Sequence, residues 1–118
     1  MSIVYQTTIP IKAQNKKNNM RAWGNKLVKS PKLAQYEIAL IKHMKATCGA
    51  APWIGDLEME VIITFGDRRR RDIQNYFDII CDCGNNILYL DDSQIIKITG
   101  EKFYKKDIWQ IEIILHQP

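Results

Sequence analysis

Residues 57–65 read LEMEVIITF and are followed at once by Gly66. The first half alternates, setting Glu58 and Glu60 on one side, and the second half turns apolar through Ile63. A strand with this pattern packs one face and leaves the other partly wet. From Ile73 the period changes: Ile73, Tyr76, Phe77 and Ile80 fall at i, i+3, i+4 and i+7, which predicts an amphipathic helix that stops at Gly84. Its opposite face carries Gln74, Asp78 and Asp82, each four residues apart. A strand and a helix joined through a charged run have to bury their apolar sides against each other, so the chain builds a layered α and β domain.

The remaining segments complete that layout. SIVYQTTIPI at residues 2–11 is rich in β-branched residues, reaches Pro10, and predicts an N-terminal strand. Residues 12–29 are polar, Asn-rich and basic, and show neither a helical nor a strand period. They are expected to form a long loop, of the kind that compact domains keep for binding, or else a solvated flexible segment. Ser30-Pro31 is an N-cap followed by proline at the first helical position. Leu33, Tyr36, Ile38, Leu40, Ile41 and Met44 then carry a helix to about Thr47, ending near Gly49, with His43 as a capping or surface residue. Asn85-Asn86 predicts a turn, and QIIKITGEKFYKKDIWQIEIILH two strands joined near Gly100. Trp53 and Trp109 are expected in the core or a dimer interface. The order β, loop, α, β, α, β, β gives an α/β (α+β) fold: one domain over 1–118, a small mixed sheet with two main helices packed on it.

Charge divides the chain in two. Residues 1–50 carry eight Lys and one Arg against the single acid Glu37, for +8, and residues 51–118 carry −4. A basic surface for a polyanion beside an acidic cluster is what a metal-dependent nuclease needs. Cys48, Cys81 and Cys83 make an odd count and no disulfide framework. Cys81-x-Cys83 lacks the second spaced pair of a structural zinc site, so the thiols read as small buried apolar groups. No apolar run is long enough to span a membrane, and the first residues lack a secretory pattern, so a cytoplasmic location is expected.

Chemistry concentrates in DRRRRDIQNYFDIICD, residues 67–82, and in Leu90-Asp91-Asp92-Ser93-Gln94 just beyond. An acid at a helix start and an acid pair about twenty residues later bring carboxylates together. Mg²⁺ takes hard oxygen ligands, usually few carboxylates, and leaves room for water and phosphate. Arg68, Arg69, Arg70 and Arg71 offer planar forks to phosphate oxygens. Taken alone, such a run is also compatible with a solvated charged face.

Two motifs carry a resemblance. RRRRDIQN (68–75) resembles the arginine run and D-x-D-N of the RusA family of Holliday junction resolvases, and LDDSQI (90–95) resembles that family's L-D-D-x-Q. Chain length, element order and the position of SPKLAQYEIALIKHM (30–44) agree, and the clear match covers residues 64–97. The resemblance implies a small homodimeric Mg²⁺-dependent endonuclease of phages and prophages, with catalytic motifs in 66–97 and paired symmetric cuts in a four-way DNA junction. It implies Asp72 and Asp92 as metal ligands, with Asp91 beside them, and a structural role for Asp82. Gln74 stands where the family has its second aspartate, and Asp78 where it has a lysine.

Two readings of those departures stay open. On a helix, positions 74 and 78 are neighbours, so Asp78 supplies the displaced carboxylate and joins the catalytic and metal-binding set. Otherwise Asp78 is a solvated helix residue and the protein is a catalytically weakened relative that binds branched DNA. A neutral Gln74 ligand favours Mn²⁺ over Mg²⁺. Lys12, Lys16, Lys17, Arg21 and Lys26 join the four arginines as expected DNA phosphate contacts, and Trp23 is a candidate for stacking on an unpaired base.

Overall fold

The computed structural model describes residues 2–118. Four strands form one mixed sheet in the order β1 (Ser2–Ile9), β6 (Gln110–Gln117), β4 (Leu57–Phe65), β5 (Ile95–Tyr104). β1 and β4 each pair antiparallel with β6, and β4 pairs parallel with β5. The alternation in 57–65 does what its pattern requires. Leu57, Met59, Val61 and Ile63 are fully buried, while Glu58 and Glu60 stand on the far face. There Glu60 meets His116, and Glu58 lies 3.9 Å from Lys97. Part of the acidity of the second half is therefore spent on this sheet face and is not part of a metal cluster.

Helix α1 (Pro31–Thr47) buries Leu33, Tyr36, Leu40 and Met44 against the core. Tyr5 and Thr47 share a hydrogen bond of 2.7 Å, and Thr7 and His43 one of 2.6 Å, which fasten the helix to β1. His43 is thus a packing contact between helix and sheet. Helix α2 (Phe77–Gly84) buries Ile79, Ile80 and Cys83. One 3-10 turn (Ile73–Tyr76) precedes it and a second (Asp92–Gln94) precedes β5. Since parallel strands need a crossover, everything from Gly66 to Gln94 is the β4-to-β5 connection.

Three local expectations are corrected. Residues 12–29 are not a structureless loop throughout: Met20–Trp23 (β2) and Lys26–Lys29 (β3) form an antiparallel hairpin with Trp23 paired to Lys26. Gly24 at φ +61° supplies the first turn position that a two-residue hairpin of this type reserves for glycine. The reversal before β6 falls at residues 105–109, with Asp107 at φ 60°, and not at Gly100. Gly100 lies inside β5 because a Cβ there would run into the Phe77 ring. Finally, the helix predicted from Ile73 begins as a 3-10 turn, so Gln74 and Asp78 do not share one continuous α-helix.

Ser30 ties hairpin and helix together. Its Oγ accepts from Leu33 N at 3.1 Å, as an N-cap should, and donates to Asn19 Oδ1 at 3.0 Å. Its backbone N–H donates to the Asn19 carbonyl at 2.7 Å. Asn19 in turn donates to the carbonyl of buried Asn15 at 2.8 Å. The asparagines of this stretch are structural.

Candidate active site and basic cleft

Asp91, Asp92 and Gln94 divide the work of the L-D-D-x-Q segment. The Asp91 carboxylate accepts from Ser93 N at 3.0 Å and caps the short turn, and the Ser93 side chain, then this N–H, hold its carboxyl below its ordinary value. Gln94 Oε1 accepts from Leu90 N at 2.9 Å and Asp91 N at 3.2 Å. Its Nε2 donates to the Trp53 and Gly55 carbonyls at 3.0 and 2.8 Å. Gln94 thereby pins the segment to the loop before β4. Sequence reading passed over it, although a glutamine at the third position of a capped turn is a capping-box signal.

Asp92 is left free to face inward. Its Oδ2 accepts from Asn85 Nδ2 at 3.4 Å, and Asp82 is near enough to act on its carboxyl. Partial burial, Asp82 and Asp91 raise the Asp92 carboxyl above its ordinary value, and the Asn85 contact opposes them. Asn85 Oδ1 is buried without a hydrogen-bond partner. Asp82 is bridged in turn by Lys16 Nζ at 3.2 Å. Asp82, for which the resemblance implies a structural role, acts on the Asp92 carboxyl together with Asp91. Burial pushes the neighbouring Cys81 thiol up to about 12, with Asp92, Asp82 and Asp78 adding to the effect, so it is no nucleophile.

Asp72 lies at the other end of the crossover. Lys102, well along β5 from Ile95, donates to the Arg71 carbonyl. Asp72 follows Arg71 in extended backbone and lines an open cleft of about 700 Å³. Parallel pairing separates the end of β4 from the start of β5, so the two ends of the crossover, where Asp72 and Asp92 stand, begin a strand's length apart. Among the described residues no group of three or more His, Cys, Asp or Glu side chains is gathered to hold a metal.

The cleft is basic, with Lys12, Lys17, Arg69 and Arg70 among its lining residues. The arginines differ in function. Arg71 pairs with Asp67 at 2.6 Å and lies over the Phe65 and Trp109 rings, 4.5 and 5.4 Å from their centroids, so it builds the wall. Arg68 stacks on Tyr104 at 4.2 Å, leaving Arg69 and Arg70 exposed. Lys12 sits over Trp109 at 4.7 Å, which makes Trp109 a cleft residue as well as a packing one. Gly66 permits this, since a Cβ there would meet the indole. Gln74 and Asp78 are exposed on the crossover, and Arg21 and Lys26 on the hairpin. Cys83 is buried, Cys48 and Cys81 are half-buried, and all three are free thiols.

The comparison with protein families decides what this arrangement belongs to. The family model for endodeoxyribonuclease RusA matches residues 9–116, nearly the whole chain. The chain belongs to the RusA family. No curated protein matches it significantly. Membership implies a Holliday junction resolving endonuclease, and within the RusA match lie both the Asp82–Asp92 pair and the basic cleft. The RusA chain has no helix long and apolar enough to cross a membrane among the described residues. The carboxylates of Asp92 and Asp82 are hard oxygens of the kind a divalent cation takes.

Proposed function

We propose that this protein is a Mg²⁺-dependent, structure-selective endodeoxyribonuclease that resolves Holliday junctions by paired symmetric nicks, acting as a homodimer in phage or prophage recombination and repair. The observation that carries this reading is that Asp92 and Asp82 act on one another within a RusA-family chain that also has a basic cleft. Asp92 and Asp82 would hold the metal, and Asp72 and Asp78 are the further carboxylates of the same crossover proposed to serve catalysis. Asp91 and Gln94 position Asp92. A bound divalent cation lowers the pKa of its water and neutralises charge on the phosphate being cut. The protein's own part is to bring the backbone there: Lys12, Lys17, Arg69 and Arg70 take phosphates along the cleft, and Lys16 lies beside the acids. Recognition of a branched substrate rests on phosphate position and shape.

A second reading has an observation of its own. Gln74 is neutral where the family has a carboxylate, and Asp82 is already engaged by Lys16. A junction-binding relative that cuts poorly has this appearance. A labelled four-way junction incubated in EDTA, Mg²⁺ or Mn²⁺ separates the two. Binding in EDTA with paired cuts on adding metal supports the resolvase, and Asp72→Asn and Asp92→Asn should then each abolish cutting while binding persists. Binding without cuts in either metal leaves the weakened relative.

A further inference from the structure

The hairpin β2–β3 carries a side-chain arrangement that the cleft and the acids do not use. Its pairing puts Met20 opposite Lys29, Arg21 opposite Val28, Ala22 opposite Leu27 and Trp23 opposite Lys26. Because side chains alternate across a strand, one face holds Arg21, Trp23, Lys26 and Val28. The other holds Met20, Ala22, Leu27 and Lys29. On that second face Met20 packs against the core and Lys29 pairs with Glu37 of α1 at 2.8 Å, while Leu27 beside the turn stays 71% exposed. On the first face Arg21, Trp23 and Lys26 are all exposed. Trp23 is 77% exposed beside the Gly24 turn, with a cation on the same face to either side.

The geometry points to this face as a base-stacking arm for the unpaired or unstacked nucleotides at a DNA branch point, with Trp23 as the platform and Arg21 and Lys26 on the flanking phosphates. This rests on the resolvase reading and extends it to how the branch is recognised. Residues 20–29 contain three cations and no acid, which suits a polyanion. An indole offers a stacking surface to any base without regard to sequence, as a structure-selective protein requires. The arm is also rooted: Asn18 and Asn19, just before it, line the cleft, and Ser30 clamps Asn19 by two hydrogen bonds. Its tip is therefore held in a fixed direction beyond the cleft wall. A two-stranded hairpin has little stability alone, and this root with the Lys29–Glu37 pair supplies what it lacks.

The test compares wild type, Trp23→Ala and Trp23→Phe on a four-way junction and a linear duplex in EDTA, with 2-aminopurine at the branch as a stacking reporter. Trp23→Ala should weaken junction binding at least about 5-fold, the lower end expected for one stacked base, and abolish the change in 2-aminopurine emission. Its duplex affinity should match wild type, and Trp23→Phe should recover most of the loss. An unaltered junction affinity and reporter signal in Trp23→Ala overturns the inference. So does loss of the dimer by sedimentation in that variant, which would place the arm on a second copy of the chain. Wild-type protein that binds junction no tighter than duplex overturns the resolvase reading itself, and shows it without any variant.

Discussion

Lys16 Nζ stands 3.2 Å from Asp82 Oδ2, joining the N-terminal basic stretch to the helix end that faces Asp92. A divalent cation arriving at Asp82 competes with that ammonium. Both side chains are nearly half exposed, at 45% and 48%, so the competition is mild. Lys16→Ala should tighten Mn²⁺ binding to the DNA-free protein by roughly 1.5- to 5-fold, the range of an exposed ion pair. Titration calorimetry reads this directly, and equal affinities would mean the ammonium leaves at no cost.

Asp67 provides the pH-dependent contact. Arg71, and then the Arg69 N–H, lower its carboxyl from 3.8 to about 2. A depressed carboxylate stabilises the fold above its unfolded pKa and loses that contribution as pH falls through the folded one. Asp67→Asn keeps an acceptor oxygen but no charge. Wild type should therefore have the higher urea midpoint at neutral pH, with the gap closing between about pH 4 and pH 2. A gap that persists unchanged at pH 2 would refute the assignment.

Gln94 makes four hydrogen bonds through one side chain, two to the Leu90–Asp91 backbone and two to the loop before β4. At about 0.5–1.5 kcal/mol each, Gln94→Ala should cost roughly 2–6 kcal/mol. Calorimetric melting measures the loss. Junction cutting by the folded variant should fall further than junction binding, because Asp92 loses its support and the cleft does not.

Gly100→Ala tests how the crossover is seated. The added methyl would press on the Phe77 ring and on Ile73, the residues that open α2 and its leading turn. Overpacking of this kind costs about 1–3 kcal/mol. Pairing the change with Phe77→Leu should return part of the stability, and a double variant no better than the single one would show that the contact is not the cause.

What the sequence disclosed, and what it hid, follow from the range of each signal. Ser30-Pro31 and the alternation in 57–65 act within a few residues, and both appear in the fold where they were expected. The hairpin was hidden because its strands have four residues each and only Met20 among them is even half-buried, so no period develops. Gly24-Asn25 between two short β-prone stretches was the available cue. Gly100 misled for the opposite reason: its missing side chain answers to Phe77, which is remote in sequence. The L-D-D-x-Q motif was legible as a site, but its partner was not. Which carboxylate acts on Asp92 depends on how the crossover folds, and only the structure reveals Asp82.

The hydroxyl of Ser30 belongs to two structures at once, completing the first turn of α1 and fastening the base of the arm at Asn19. Removing that one oxygen therefore uncaps the helix and unfastens the base of the arm together.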